Sequence, residues 1–146
     1  MADYSVDADL VKIRPNILGF GIESWKDQHI EATSYINRIL ESRWYKEVAS
    51  NNNVDWRVTA FDSDKVDASQ VKQVACYKTL ELVYLYLMKD SPDADGFERE
   101  MKIFQKLYAT EIDLVLSLGV NYDWDDDDTI QQDERLQPRF RRLVRA

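Results

Sequence analysis

An all-α bundle is the fold class this sequence predicts, and three observations predict it. Only 4 glycines and 3 prolines punctuate 146 residues, too few for the many tight turns of a sandwich or barrel. Apolar residues make up 45% of the chain and charged ones 32%, enough to pack an interior rather than leave the chain disordered. Over long windows the apolar positions recur at steps of three and four, the helical period. The length suits one domain with one core. The expected organisation is a small helical bundle over residues 1–118, with three long helices and a short N-terminal one. A short strand, an acidic loop and an extended, basic C-terminal arm follow over 119–146.

Each element has its own local argument. Asp7 to Ile13 allows about two turns before Arg14-Pro15, because proline disfavours a helical residue ahead of it; Asn16 to Gly21 then reads as a loop. Ser24 is positioned to cap a helix running to about Tyr45, with Trp25, Ile30, Thr33, Ile36, Leu40 and Trp44 along one face. The Asn51-Asn52-Asn53 cluster ends it. Val54 to Asp64 is a long polar connection in which Trp56, Val58 and Phe61 suggest a short extended piece. Asp67 with Gln70 fits a capping box and opens a helix from about Ala68 to Lys89. From Leu80 to Met88 that helix is apolar on nearly every side, which requires cover on several faces or from another subunit. After Ser91-Pro92, Asp95 with Glu98 repeats the capping pattern. Phe97, Met101, Phe104, Leu107 or Tyr108, Ile112, Val115 and Leu118 form the next stripe, which Gly119 stops. Ile36, Leu40, Leu82, Leu85, Phe104 and Val115 are the expected core. Val120 to Trp124 alternates as a short strand does, and Asp125 to Asp128 is a tight acidic run.

Charge divides the chain. With 19 basic and 27 acidic side chains the net charge is −8, yet residues 135–146 carry five arginines and no acid. The arm is therefore +5 and the body −13, so the body repels nucleic acid while the arm suits phosphate or an acidic protein groove. One cysteine and one histidine exclude an internal disulfide and the usual four-ligand zinc site. The acidic start lacks the basic n-region of a secretion signal, and the longest apolar run, Leu82 to Met88, is far below the ~20 residues of a membrane span. A cytoplasmic chain without a membrane role is the expectation.

Little in the sequence supports catalysis. Phosphate-loop, dinucleotide-binding, nucleophile-elbow and zincin motifs are absent. His29 has no visible partner to orient it, Cys76 reads as a buried structural thiol, and the aromatics read as core or subunit-interface residues, since base-stacking platforms accompany a positive groove. No catalytic, cofactor-binding or metal residue is assigned. One loop carries a competing reading. With Asp123 as position 1, Asp125 falls at 3, Asp127 at 5 and Glu134 at 12, the acidic spacing of a calcium loop. Against it, Asp128 replaces the usual glycine at position 6, Gly119 breaks the entering helix early and Pro138 falls one turn into the exiting one. The preferred expectation is a solvated, structural acidic turn, with a calcium-binding helical interaction module as the alternative.

Four stretches carry a likeness to a known family: Tyr4-Ser5-Val6-Asp7-Ala8-Asp9-Leu10-Val11 followed by Arg14-Pro15; the helix with Ala32 and Tyr35-Ile36-Asn37; the apolar third helix, from about Ala68 to Lys89; and Val120 to Asp125 with Arg139-Phe140-Arg141-Arg142. Together they resemble the head-tail connector proteins of tailed bacteriophages, also called adaptor, head-completion or neck proteins. The resemblance implies a structural virion protein assembled in the host cytoplasm. A homo-oligomer, a dodecameric ring, docks beneath the portal protein, meets tail, tail-terminator or neck proteins, and passes genomic DNA without binding it specifically. It makes the arm the portal-docking element, with Arg135, Arg139, Phe140, Arg141, Arg142, Leu143, Val144 and Arg145 as partner-binding residues.

Overall fold

The computed structural model describes residues 3–89, 94–127, 129–130 and 134–135. Helix α1 spans Asp7–Ile13. The Asp9 carboxylate accepts the Val6 amide at 3.0 Å, and the acids of this first turn face the positive end of the helix. Helix α2 spans Lys26–Leu40, and Trp25 rather than Ser24 stands at its N-terminal boundary. Ser24 is diverted: its hydroxyl donates to Asp7 Oδ2 at 2.7 Å, and the Trp25 amide donates to Asp7 Oδ1 at 3.2 Å. A carboxylate from α1 thus sits where the serine was expected to cap.

The second helix is also longer than its sequence period suggests. A π-type turn, Glu41–Tyr45, carries α2 into α3, Lys46–Asn51. The wider turn alters the phase, so the consecutive Trp44 and Tyr45 are both buried. Asn53, with φ 58°, turns the chain away. The extended piece expected around Trp56, Val58 and Phe61 does not form. The Val58 and Thr59 amides both donate to the Asp55 carbonyl, at 3.1 and 2.8 Å, so backbone groups that would pair in a sheet close a turn instead, leaving Val58 exposed. This connection is held by side chains: Tyr45 Oη donates to the Thr59 carbonyl at 2.6 Å, and the Asp62 amide donates to Tyr122 Oη at 3.1 Å.

After a short 3₁₀ turn, Ser63–Lys65, helix α4 spans Ala68–Met88. Asp67 caps it, accepting the Ser69 amide and hydroxyl at 3.2 and 2.6 Å. Gln70 does not close the expected capping box. Its Nε2 donates to the Gly119 carbonyl at 2.7 Å and its Oε1 accepts the Asn121 amide at 2.8 Å. Helix α5 spans Ala94–Leu118, so Asp95 lies inside the first turn and not at the cap. Gly119, at φ 102°, ends α5 with its amide on the Val115 carbonyl at 3.0 Å. Residues 120–124 form no strand among the described residues; an isolated antiparallel bridge joins Val66 and Tyr122.

The all-α class holds, and α4 against α5 is the principal packing. The interior has two centres. One gathers Ile36, Leu40, Trp44, Val71, Val74, Ile112 and Val115 with Val120 and Tyr122; the other gathers Leu10, Ile17, Trp25, Leu80, Val83 and Phe104. Leu85, expected in the core, is 44% exposed, and Leu82 is only half-buried. At 100° per residue Leu85 points about 140° away from Leu80 and about 200° away from Val83, the side chains that face the interior. No described helix is long and apolar enough to cross a membrane.

Candidate functional site

The acidic loop is built from both ends of the chain's second half. Tyr122 is buried against Trp44, Tyr45, Phe61 and Trp124, which anchors the entry. Next, the Asp123 amide donates to the Lys65 carbonyl at 3.0 Å, and the Tyr122 amide to the Glu134 carbonyl at 3.2 Å. Glu134 reaches back across the loop: its Oε2 accepts the Trp124 amide, and the Asp125 amide at 3.2 Å. Asp123 Oδ1 accepts the Asp127 amide at 3.3 Å, while Asp127 Oδ1 takes the Thr129 amide and hydroxyl, each at 3.0 Å. Asp126 is left-handed, with φ 58°.

Four carboxylates converge here. One oxygen each from Asp123, Asp125, Asp127 and Glu134 lies within 4.8 Å of the others, and Asp123 and Glu134 are buried. These are positions 1, 3, 5 and 12 of the spacing read from the sequence; Asp128, the glycine replacement at position 6, lies outside the described residues. Partial desolvation, hydrogen bonding to Asp123 and Asp127, and the charges of Asp127 and Glu134 push the Asp125 carboxyl up to about 6. Beside the loop lies a cavity of about 180 Å³ lined by Asp62, Asp64, Lys65, Asp123 and Asp126.

His29 does have partners. Its Nδ1 lies 2.7 Å from Ser5 Oγ and its Nε2 3.0 Å from Asp7 Oδ1. Ser5 and Asp7 sit more than twenty residues upstream, so no local spacing reveals the contact. The residue types match a nucleophile, a base and an orienting acid, but Ser5 is buried, 2% exposed. The group instead fastens the N-terminal segment to α2 and, through Ser5 Oγ and Thr79 Oγ1 at 3.4 Å, to α4. Cys76 is buried, and burial first, then the charge of Asp9, pushes its thiol up to about 11, as an inert structural thiol requires.

Of the expected partner-binding residues only Arg135 is described. It is exposed, and its charge helps hold the Asp67 carboxyl below the usual range. There burial raises the carboxyl, and hydrogen bonds from Ser69 and Asn121 together with Arg135 outweigh it. Arg139, Phe140, Arg141, Arg142, Leu143, Val144 and Arg145 lie outside the described residues. Compared with known proteins, this helical chain matches no family model, no curated protein and no solved structure.

Proposed function

We propose that this chain is a head-tail connector (adaptor) subunit of a tailed bacteriophage, a non-enzymatic virion protein that joins a ring beneath the portal and links head to tail. The observation that carries the reading is the division of charge at residue 135, a −13 body continued by a +5 arm. An acidic bundle around a channel opposes phosphate and lets DNA pass. Arginines on the arm form bidentate pairs with portal carboxylates, and Phe140, Leu143 and Val144 supply the apolar anchors. The resemblance in the N-terminal segment and the Val120–Asp125 stretch supports the same reading. Removal of residues 135–146 is expected to leave helical circular dichroism unchanged while abolishing cosedimentation with purified portal rings. Unchanged affinity for the portal would place docking on the bundle and overturn the arm assignment. Salt-dependent binding of the full chain to DNA, lost in the truncated form, would replace the portal with nucleic acid as the partner.

A second reading is favoured by the convergence of four carboxylates, and it is compatible with the first. In it the 123–134 loop holds a calcium ion as a structural brace. Calcium–oxygen distances of about 2.3–2.6 Å put oxygens on opposite sides of one ion roughly 5 Å apart, and one oxygen from each of the four carboxylates lies within 4.8 Å of the others. Bound there, calcium fixes Glu134 and so the residue from which the arm departs. Calorimetry is expected to give a calcium isotherm that Asp123→Ala and Glu134→Ala abolish. No heat of binding with millimolar calcium would return the loop to a solvated acidic turn.

A further inference from the structure

Helix α5 carries two apolar faces, and the bundle uses one. Phe104, Tyr108, Ile112, Val115 and Leu116 are buried. Ile103, Leu107, Leu114 and Leu118 are not: they are 40, 39, 50 and 65% exposed. At 100° per residue these four fall within an arc of about 60°, and they extend along roughly 22 Å of the helix. Scattered exposed leucines need no explanation, but an apolar strip of this length along one helix is characteristic of an interaction surface.

We propose that the Ile103 to Leu114 part of this strip is covered by the same part of a second copy, with the two α5 helices antiparallel about a two-fold axis near residues 108–110. Two features of the helix select that occupant. The first is spacing: Ile103, Leu107, Thr110 and Leu114 follow steps of four, three and four, the seam of a two-helix coiled coil. Running the second helix in reverse brings the Ile103 end of one strip against Leu114 of the other, and Leu107 beside Thr110. The second is charge. Lys106 and Asp113 flank the seam on the same side, seven residues apart, both exposed and neither in an ion pair among the described residues. In the antiparallel arrangement Lys106 of each copy faces Asp113 of the other, giving two matched pairs. A parallel pairing would carry the two Lys106 side chains to opposite sides of the seam and set each beside Glu111 of the other copy, leaving Asp113 unmatched, so the exchange of charge between positions 106 and 113 distinguishes the two directions. The apolar seam supplies the association, and the exposed pairs add to it.

This contact closes at two copies, so it describes the free chain and is separate from the head-to-tail contacts of a ring. The test is sedimentation equilibrium on the full-length chain over a wide concentration range, with circular dichroism to confirm folding of each variant. A reversible monomer–dimer equilibrium is expected. Leu107→Gln with Leu114→Gln, both at exposed positions, should abolish it. Lys106→Glu and Asp113→Lys should each weaken the dimer by about tenfold through two like-charge pairs, and the double variant should restore it. A monomer at every concentration would overturn the proposal. So would a ring-sized mass, a dimer indifferent to the leucine changes, or a double variant no better than the single ones.

Discussion

Leu80 and Leu85 are the same residue type on the same helix, yet one is fully buried and the other 44% exposed. Replacing Leu80 by Ala is expected to cost about 2–5 kcal/mol, and replacing Leu85 about 0.5 kcal/mol or less, read by urea denaturation. Equal losses would mean that α4 is rotated from the orientation described. Sequence period could not separate the two, because a helix apolar on nearly every side has no polar face to set its phase. Distance along the chain hid the contacts of His29 in the same way. The Asp7 carboxyl shows what that contact does: burial raises it, and hydrogen bonds from Ser24, the Trp25 amide and His29 outweigh burial and hold it below the usual carboxylate value. A depressed carboxylate stabilises the fold above its unfolded pKa of about 3.9 and loses that contribution as pH falls through the folded value. Asp7→Asn should therefore lower stability at pH 7 by about 1–3 kcal/mol and flatten the acid limb of a stability–pH curve. An unchanged acid limb would remove Asp7 from the contacts that hold the N-terminal segment.

Elements whose signals are local were legible, and those that depend on long-range partners were not. Asp7–Ile13 emerged with the expected bounds, because a following proline is a local stop. Asp67 likewise begins α4 through its own side-chain cap, and Gly119 ends α5 through its positive φ. The extension of α2 through a π-type turn was not legible, since it answers to tertiary demand: Trp44 and Tyr45 both find places in an aromatic group with Tyr122 and Trp124. Gln70 is the clearest case. The same residue that suggests a capping box is drawn away by two backbone groups beyond the end of α5, 49 and 51 residues distant. Gln70→Ala leaves the Gly119 carbonyl and Asn121 amide without that side chain and is expected to cost about 1–3 kcal/mol. Hydrogen exchange should quicken at Asn121 and Tyr122 more than in mid-α4. A uniform change along α4 would mean that Gln70 acts as an ordinary helix residue.

At the scale of the whole molecule, the acidic loop joins parts that helix packing alone leaves separate: the connection before α4, the end of α5 and the start of the arm. The spacing of its carboxylates was readable in sequence, but their convergence required the Lys65 and Glu134 backbone contacts that fold the loop back. Raised to about 6, the Asp125 carboxyl keeps a proton that the unfolded chain releases near pH 4. Its contribution to stability without metal is therefore present below about pH 4 and lost as pH rises through about 6. On the calcium reading proposed above, the ion would reverse that dependence, because it needs the carboxylate and displaces the proton. If the loop binds calcium, the ion at about 100 times its dissociation constant would stabilise the native chain by about 2.7 kcal/mol, a rise in Tm of roughly 5–10 °C for a chain of this size. That rise is expected in full at pH 7.5 and should shrink as pH falls below 6. With Asp125→Asn, the part of the pH dependence owed to this carboxyl should vanish and the calcium-induced rise should be smaller at every pH. Scanning calorimetry with and without calcium, across pH 5 to 8, reads each of these outcomes. A calcium effect equal at pH 5 and pH 7.5 would detach Asp125 from the ion, and no effect at either pH would leave the four carboxylates as a hydrogen-bonded turn that braces the arm without metal.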